Sequence, residues 1–230
     1  MTAVTESLLD RLRQRFDGLL SSSKIEADQI TLEFAPDKLL EICLALRDED
    51  AYQFSQLSDL CGLDYLSYGQ VDWETQETTS TGFSRGVSAG SQTQQEHSGP
   101  RYAVVYHLLS IVHNQRIRLR CLINDEPLIV SSVAEIWASA NWYEREAFDL
   151  FGIMFEGHPD LRRLLTDYGF IGHPFRKDFP LEGNVEVRYD AEKGRVVYQP
   201  VTIQSRVLVP RVIRNDNRYQ HGDEQPSDTE

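Results

Sequence analysis

The sequence predicts an α+β domain: a mainly antiparallel sheet with helices packed on one face, followed by an extended irregular C-terminal arm. Three observations carry this. Apolar residues recur at helical spacing in the first third of the chain. Alternating segments further on are joined closely enough to form hairpins, which favours an antiparallel sheet over a doubly wound parallel one. From Pro159 onward Pro and Gly become frequent and helical signals fade. The expected organisation is a domain over 1–152 with a flexible hairpin insertion at about 70–100, an extended arm over 153–221, and a disordered acidic tail over 222–230.

The elements follow in order. Leu8, Leu12, Phe16 and Leu20 recur every four residues, with Thr5 able to cap and Glu6 suited to the first turn, which predicts a helix. Ile30, Leu32 and Phe34 alternate with Thr31 and Glu33 as a half-buried strand does. Pro36 suits a first helical position, and Leu39, Leu40, Cys43 and Leu44 form the stripe of a second helix. Phe54 to Leu66 reads as extended. The stretch 70–100 is rich in Gly, Ser, Thr and Gln without period; it buries too little apolar surface to offset the cost of ordering it. Tyr102 to Val112 is nearly continuously apolar, as in a central strand covered on both faces. Ile117, Leu119, Cys121 and Ile123 alternate with arginines, and His113-Asn114-Gln115 between the two strands is short enough for a hairpin. Ser132 with Glu135 forms a capping box that opens a third helix through Val133, Ile136, Trp137 and Ala140.

Composition narrows the function classes. The chain has 230 residues, 40% hydrophobic and 26% charged, which suits a globular protein. A net charge of −13 argues against nucleic acid or anionic lipid as a partner. Cys43, Cys61 and Cys121 lie too far apart for a zinc knuckle or an iron–sulfur run. The opening residues lack the basic and apolar blocks of a secretory signal, and Tyr102–Val112, the longest nearly apolar run, is well short of the ~20 residues that span a bilayer. No GxGxxG or GxxxxGK[ST] marks a nucleotide site.

The most informative stretch runs from Trp142 to Gly183. At about 100° per residue, continuing the helix places Ala140, Glu144, Ala147 and Phe151 on an inner stripe. Trp142, Arg145 and Asp149 fall on the opposite face, with Glu146 at the side. A helix that is apolar or paired nearly all round requires cover on more than one side, and a partner surface could supply it. Two Gly-His-Pro triplets place His158 and His173 before prolines, where they read as turn residues; no further ligands support a metal. Arg162, Arg163, Arg176 and Lys177 lie among Asp160, Asp167 and Asp178, a mixture of signs suited to ion-pair docking. The carboxylates lack the signature of an acid/base pair.

Glu144-Arg145-Glu146-Ala147-Phe148-Asp149-Leu150-Phe151, followed by His158 and Arg162-Arg163-Leu164-Leu165, resembles the signature of the thirty-kilodalton subunit family of respiratory complex I. Thr166 to Leu181 looks like the same family. The 70–100 stretch carries none of its motif. The resemblance implies a subunit of a proton-translocating NADH:quinone oxidoreductase, in which FMN and iron–sulfur clusters of partner subunits carry electrons from NADH to quinone. It implies no catalytic, cofactor-binding or metal residue in this chain, and packing against the larger quinone-site subunit, beside cluster-bearing neighbours. The signature residues Trp142, Glu144, Arg145, Glu146, Asp149, His158, Arg162, Arg163, Asp167, His173, Arg176, Lys177 and Asp178 are the expected subunit interface. Peripheral attachment at the cytoplasmic face of a bacterial inner membrane follows from the same resemblance. A related hydrogenase or donor-driven quinone oxidoreductase would use a similar component, and an independent soluble enzyme built on the Asp/His-rich arm is the alternative of a different class.

Overall fold

A computed structural model describes residues 3–66, 68, 74–75, 87–88, 99–124 and 126–203. Most of the 70–100 insertion and the whole 222–230 tail lie outside the described residues. The chain divides into two compact units, one of Met1–Leu66 with His97–Gly183, the other of Ser67–Glu96 with Asn184–Glu230.

In the first unit, helix α1 (Ala3–Arg15) buries Leu8, Leu9 and Leu12. Leu20, which continues the four-residue spacing, opens strand β1 (Leu20–Glu26) instead, because Gly18 at φ 75° turns the chain before the helix can reach it. Strand β1 pairs antiparallel with β2 (Gln29–Phe34) across Ala27 and Asp28, both at positive φ. That is the two-residue hairpin geometry, made here without the Asn-Gly or Asp-Gly dipeptide that announces it. After a 3₁₀ turn at Pro36–Lys38, helix α2 (Leu39–Asp48) buries Leu39, Ile42, Cys43 and Leu46. Leu40 and Leu44 of the expected stripe are exposed, since the core takes the i, i+3, i+4, i+7 set.

Strand β3 (Gln56–Asp64) follows. In the second unit β4 (Glu74–Thr75) and β5 (Val87–Ser88) pair antiparallel. Returning to the first unit, β6 (Tyr102–Ser110) and β7 (Gln115–Ile123) form a long hairpin through a turn in which Asn114 holds φ 49°. Consecutive residues Tyr102 to Tyr106 are all buried, so this half of β6 is covered on both faces. The five strands lie in the order β1-β2-β7-β6-β3. All pairs are antiparallel except β2 with β7, where Leu32 stands opposite Leu119. Apolar residues of α1, α2 and the third helix join Ile30, Leu32, Tyr106, Leu108, Ile117 and Leu119 in one core on one face of this sheet.

The third helix, α3, spans Ala140–Phe151 and begins seven residues later than the Ser132/Glu135 pattern implied. The Ser132 hydroxyl does accept the Ala134 amide, but the Val133 carbonyl takes both the Ile136 and the Trp137 amides and the coil closes after one turn. Trp137 donates its indole N–H to the Phe54 carbonyl at 3.0 Å, so Val133 and Trp137 reach the core from a turn. Short parallel strands β8 (Ile129–Ser131) and β9 (Met154–Glu156) bracket α3. In the second unit, β10 (Val185–Asp190) and β11 (Arg195–Pro200) form a regular hairpin within the segment expected to be irregular. Its alternation lies in short runs broken by charges, which masks the period.

Candidate functional site

Helix α3 is held from two sides, and the difference between them defines the site. Its inward carboxylate, Glu144, is fully buried. It accepts the Ser132 hydroxyl at 2.5 Å and the Val133 amide at 2.7 Å. Burial outweighs both bonds and pushes its pKa up to about 7. His158 lies 4.0 Å away with its ring nitrogens otherwise engaged. Its Nδ1 accepts the Asp160 amide, so Nε2 carries the proton and donates to the Asn141 carbonyl at 3.1 Å.

The opposite face is covered by the chain itself. Gly152 ends α3 in the left-handed conformation at φ 78° and returns its amide to the Phe148 carbonyl. A Cβ there would stand 2.5 Å from the Arg176 guanidinium and 2.6 Å from the His173 ring, so glycine also makes room for the returning segment. That segment, 161–181, runs back over α3 as a strap. The carbonyls that a helix leaves open at its C-terminus are taken up in order: Asp149 by His173 Nδ1 at 2.9 Å, Leu150 by the Phe175 amide at 3.1 Å, and Phe151 by Arg176 Nε at 2.6 Å. The cationic guanidinium also suits the negative end of the helix dipole. Burial and the neighbouring Arg176 and Arg163 lower the His173 pKa, against the opposing bond from Nδ1 to the Asp149 carbonyl.

Asp149 and Arg145 do not pair with each other. Asp149 accepts the amides of Leu164, Leu165 and Thr166 at 3.1, 2.7 and 2.8 Å, the Thr166 hydroxyl, and Arg163 Nη1 at 3.2 Å. Burial alone would raise its pKa, but these donors together hold it at about 2. Arg145 donates to the Arg162 and Arg163 carbonyls at 3.2 and 3.3 Å while its guanidinium lies over the Trp142 ring. One side chain thus reads the amides of the strap and the other its carbonyls.

A third anchor was missed by sequence reasoning. Asp64, at the end of β3, accepts Arg101 Nε and Nη2 at 2.8 and 2.7 Å and the Lys177 amide at 2.9 Å. Burial opposes these bonds and loses, leaving its pKa at about 2. Arg101 also reaches Asp178 at 3.1 Å, pinning the far end of the strap to the sheet. Neither residue stands in a motif; they are 37 positions apart and meet only through β3–β6 pairing.

Among the expected interface residues, Glu144, Arg145, Asp149, His158, Arg163, His173 and Arg176 therefore bond to this chain, as does the Lys177 backbone. Arg162 pairs with Asp160 at the surface, and Trp142, Asp167 and Asp178 are exposed. Glu146 is half-buried on the flank of α3. Among the described residues no group of three or more His, Cys, Asp or Glu could hold a metal, and burial raises the thiols of Cys43 and Cys121, the latter to about 12. Beside the charges of Asp167, Lys177 and Asp178 the strap presents large apolar side chains outward: Tyr168 is 92% exposed, Ile171 88% and Leu181 100%, with Leu165 and Phe175 also exposed.

The model of the respiratory-chain NADH dehydrogenase 30 Kd subunit family matches residues 32–185, which include α3 and the whole strap. The chain belongs to this family. The C subunit of NADH-quinone oxidoreductase from Coxiella burnetii (strain Dugway 5J108-111) is 56% identical over 97% of this chain and 99% of its own length. The same component from Halorhodospira halophila is 56% identical over 94% of each. The solved structure of a trypsin-resistant fragment of Nqo5 aligns with a TM-score of 0.47 at 28% identity, covering 68% of this chain and 98% of the fragment. As a member of the 30 Kd family the chain is the C subunit of NADH-quinone oxidoreductase, respiratory complex I, and its partners are other subunits of that complex. No helix among the described residues is long and apolar enough to cross a membrane.

Proposed function

We propose that this chain is the cofactor-free docking subunit of the peripheral arm, and that the outward face of its strap seats against the quinone-site subunit. The observation that carries this is the division of labour along 161–181. Much of the backbone and the less exposed polar side chains Arg163, Thr166, His173 and Arg176 are bonded inward to Asp149, Arg145, Asp64 and α3, while Leu165, Tyr168, Ile171, Phe175 and Leu181 stand in solvent beside the charged Asp167, Lys177 and Asp178. Large apolar side chains gathered on one pre-organised segment mark a protein interface, and a segment ordered beforehand loses less entropy on binding. The docking arm extends over 153–221 in this reading. The β10–β11 hairpin offers a second apolar face, in which Val187 pairs with Tyr198 and Tyr189 with Val196, all exposed. A two-stranded hairpin is marginal in water by itself, so this face also calls for cover.

Within the complex, FMN and the iron–sulfur clusters belong to neighbouring subunits, and this chain fixes the geometry on which electron tunnelling to the quinone depends. Its attachment is peripheral, through those neighbours, at the cytoplasmic face of the bacterial inner membrane. The test replaces the outward side chains only. A tagged chain carrying Tyr168→Ser, Ile171→Ser and Leu181→Ser is expected to fold normally but to co-purify with the quinone-site subunit at about a tenth of the wild-type yield or less, since hot-spot truncations cost roughly 2 kcal/mol or more together. Wild-type recovery of the complex, with normal NADH:quinone turnover, would remove the strap from the interface.

A further inference from the structure

Beside the strap's outward face, β3 and α3 leave an open cleft of about 250 Å³. Leu60 and Gly62 of β3 line one side, Ala147, Leu150 and Phe151 of α3 the other, and Phe175 of the strap lines it as well. Phe151 lies against β3 only because Gly62 has no side chain; a Cβ there would meet the ring at 2.6 Å. Phe175 meets Phe151 edge-on, their centroids 5.8 Å apart. Two carboxylates line the cleft, Asp59 from β3 and Glu146 from α3. Among the described residues neither has an ion-pair or hydrogen-bond partner. Cys61 also lines it, but burial first, then the charges of Asp59 and Glu146, raise its thiol pKa and keep it protonated, so nucleophilic chemistry is not what the cleft offers.

We propose that this cleft receives an arginine side chain from a neighbouring subunit of the complex, an inference that rests on the docking reading above. The cleft is smaller than the ~300–1,000 Å³ typical of small-molecule pockets and suits a single side chain. An apolar stem can lie along Phe151 and Phe175 while the cationic head meets Asp59 and Glu146. A planar, weakly hydrated guanidinium stacks on aromatic rings and bridges two carboxylates better than a compact ammonium, which selects arginine over lysine. The net charge of −13 complements a cationic partner, and Phe175 belongs both to the cleft and to the strap's apolar face, so the two surfaces are continuous.

The probe is butylguanidinium, titrated into the full chain and followed by amide correlation spectra. Saturable shifts are expected at Cys61, Gly62, Ala147 and Phe151, weakening about tenfold in Asp59→Asn/Glu146→Gln and for n-butanol in place of the cation. The remaining amides serve as the check that the double variant is folded. A flat titration, or butanol matching butylguanidinium, overturns the inference. A flat titration alongside strap-dependent assembly rejects the arginine cleft alone. Saturable binding alongside assembly that ignores the strap variants rejects the docking reading, and this inference falls with it.

Discussion

Asp149 and Glu144 lie five positions apart on α3, both fully buried, and their surroundings drive them in opposite directions. Asp149, held at about 2 against an ordinary 3.8, contributes stability that is present above pH 3.8 and lost as pH falls through 2. Glu144 stands at about 7 against an ordinary 4.5, so the fold prefers it neutral. Its contribution is complete below pH 4.5, declines as pH rises, and is gone above about 7. Each window can be probed with one substitution. Asp149→Asn should cost about 2–4 kcal/mol at neutral pH, because a buried acceptor of five donors is weakened. Urea unfolding measures that loss, and trypsin should cut faster after Arg162 and Arg163; unchanged stability together with unchanged cleavage would refute the anchoring role. Glu144→Gln should flatten the dependence of stability on pH between 4.5 and 7, and a variant whose curve stays parallel to wild type would show that Glu144 does not titrate there.

At the level of elements, the α3–strap junction turns on one residue. Gly152→Ala must place a Cβ against Arg176 and His173 in addition to holding a left-handed backbone, whereas Gly18, at φ 75°, has open space around it. Gly18→Ala should therefore cost only about 1 kcal/mol, the backbone penalty, and Gly152→Ala distinctly more. Equal losses in thermal unfolding would mean that the strap does not press on the helix end. The same elements show what sequence can convey. Strands β2, β6 and β7 were legible because each alternates or runs apolar over several residues, and α3 because its stripe is periodic. Strand β1 was not, since Ser22, Ser23 and Lys24 are polar and its turn uses Ala27-Asp28. The capping box at Ser132 misled because a serine that caps one turn has the same local chemistry as one that caps a helix. In the candidate site, the inward position of Glu144 and the two-faced character of α3 were readable from spacing. That the chain's own strap covers the second face was not, because Arg145 and Asp149 at i, i+4 look like a surface ion pair until the segment 14–18 residues downstream folds back on them. Asp64 and Arg101 lay beyond reach for the same reason: only the sheet brings them together.

For the whole molecule, the fold separates holding from presenting. Arg163, His173 and Arg176 of the strap, with Arg145 and Asp149 of α3, are engaged within the chain, which leaves large apolar groups for the complex and explains how a signature dense in charges can belong to an interface with many apolar contacts. Arg176→Ala, which removes the bond to the Phe151 carbonyl, should accordingly reduce recovery of the complex by loosening the strap; full assembly with a loosened strap would show that pre-organisation is dispensable. Docking of this kind requires the strap to be in place before any partner arrives. Amide hydrogen exchange at Leu164, Leu165 and Thr166 in the isolated full chain probes that requirement without an intermediary, since all three amides bond to one carboxylate. Slow exchange is expected at these three amides, collapsing toward the unprotected rate in Asp149→Asn. Wild-type amides that already exchange at the unprotected rate, and are protected only in the assembled complex, would contradict a strap ordered in advance.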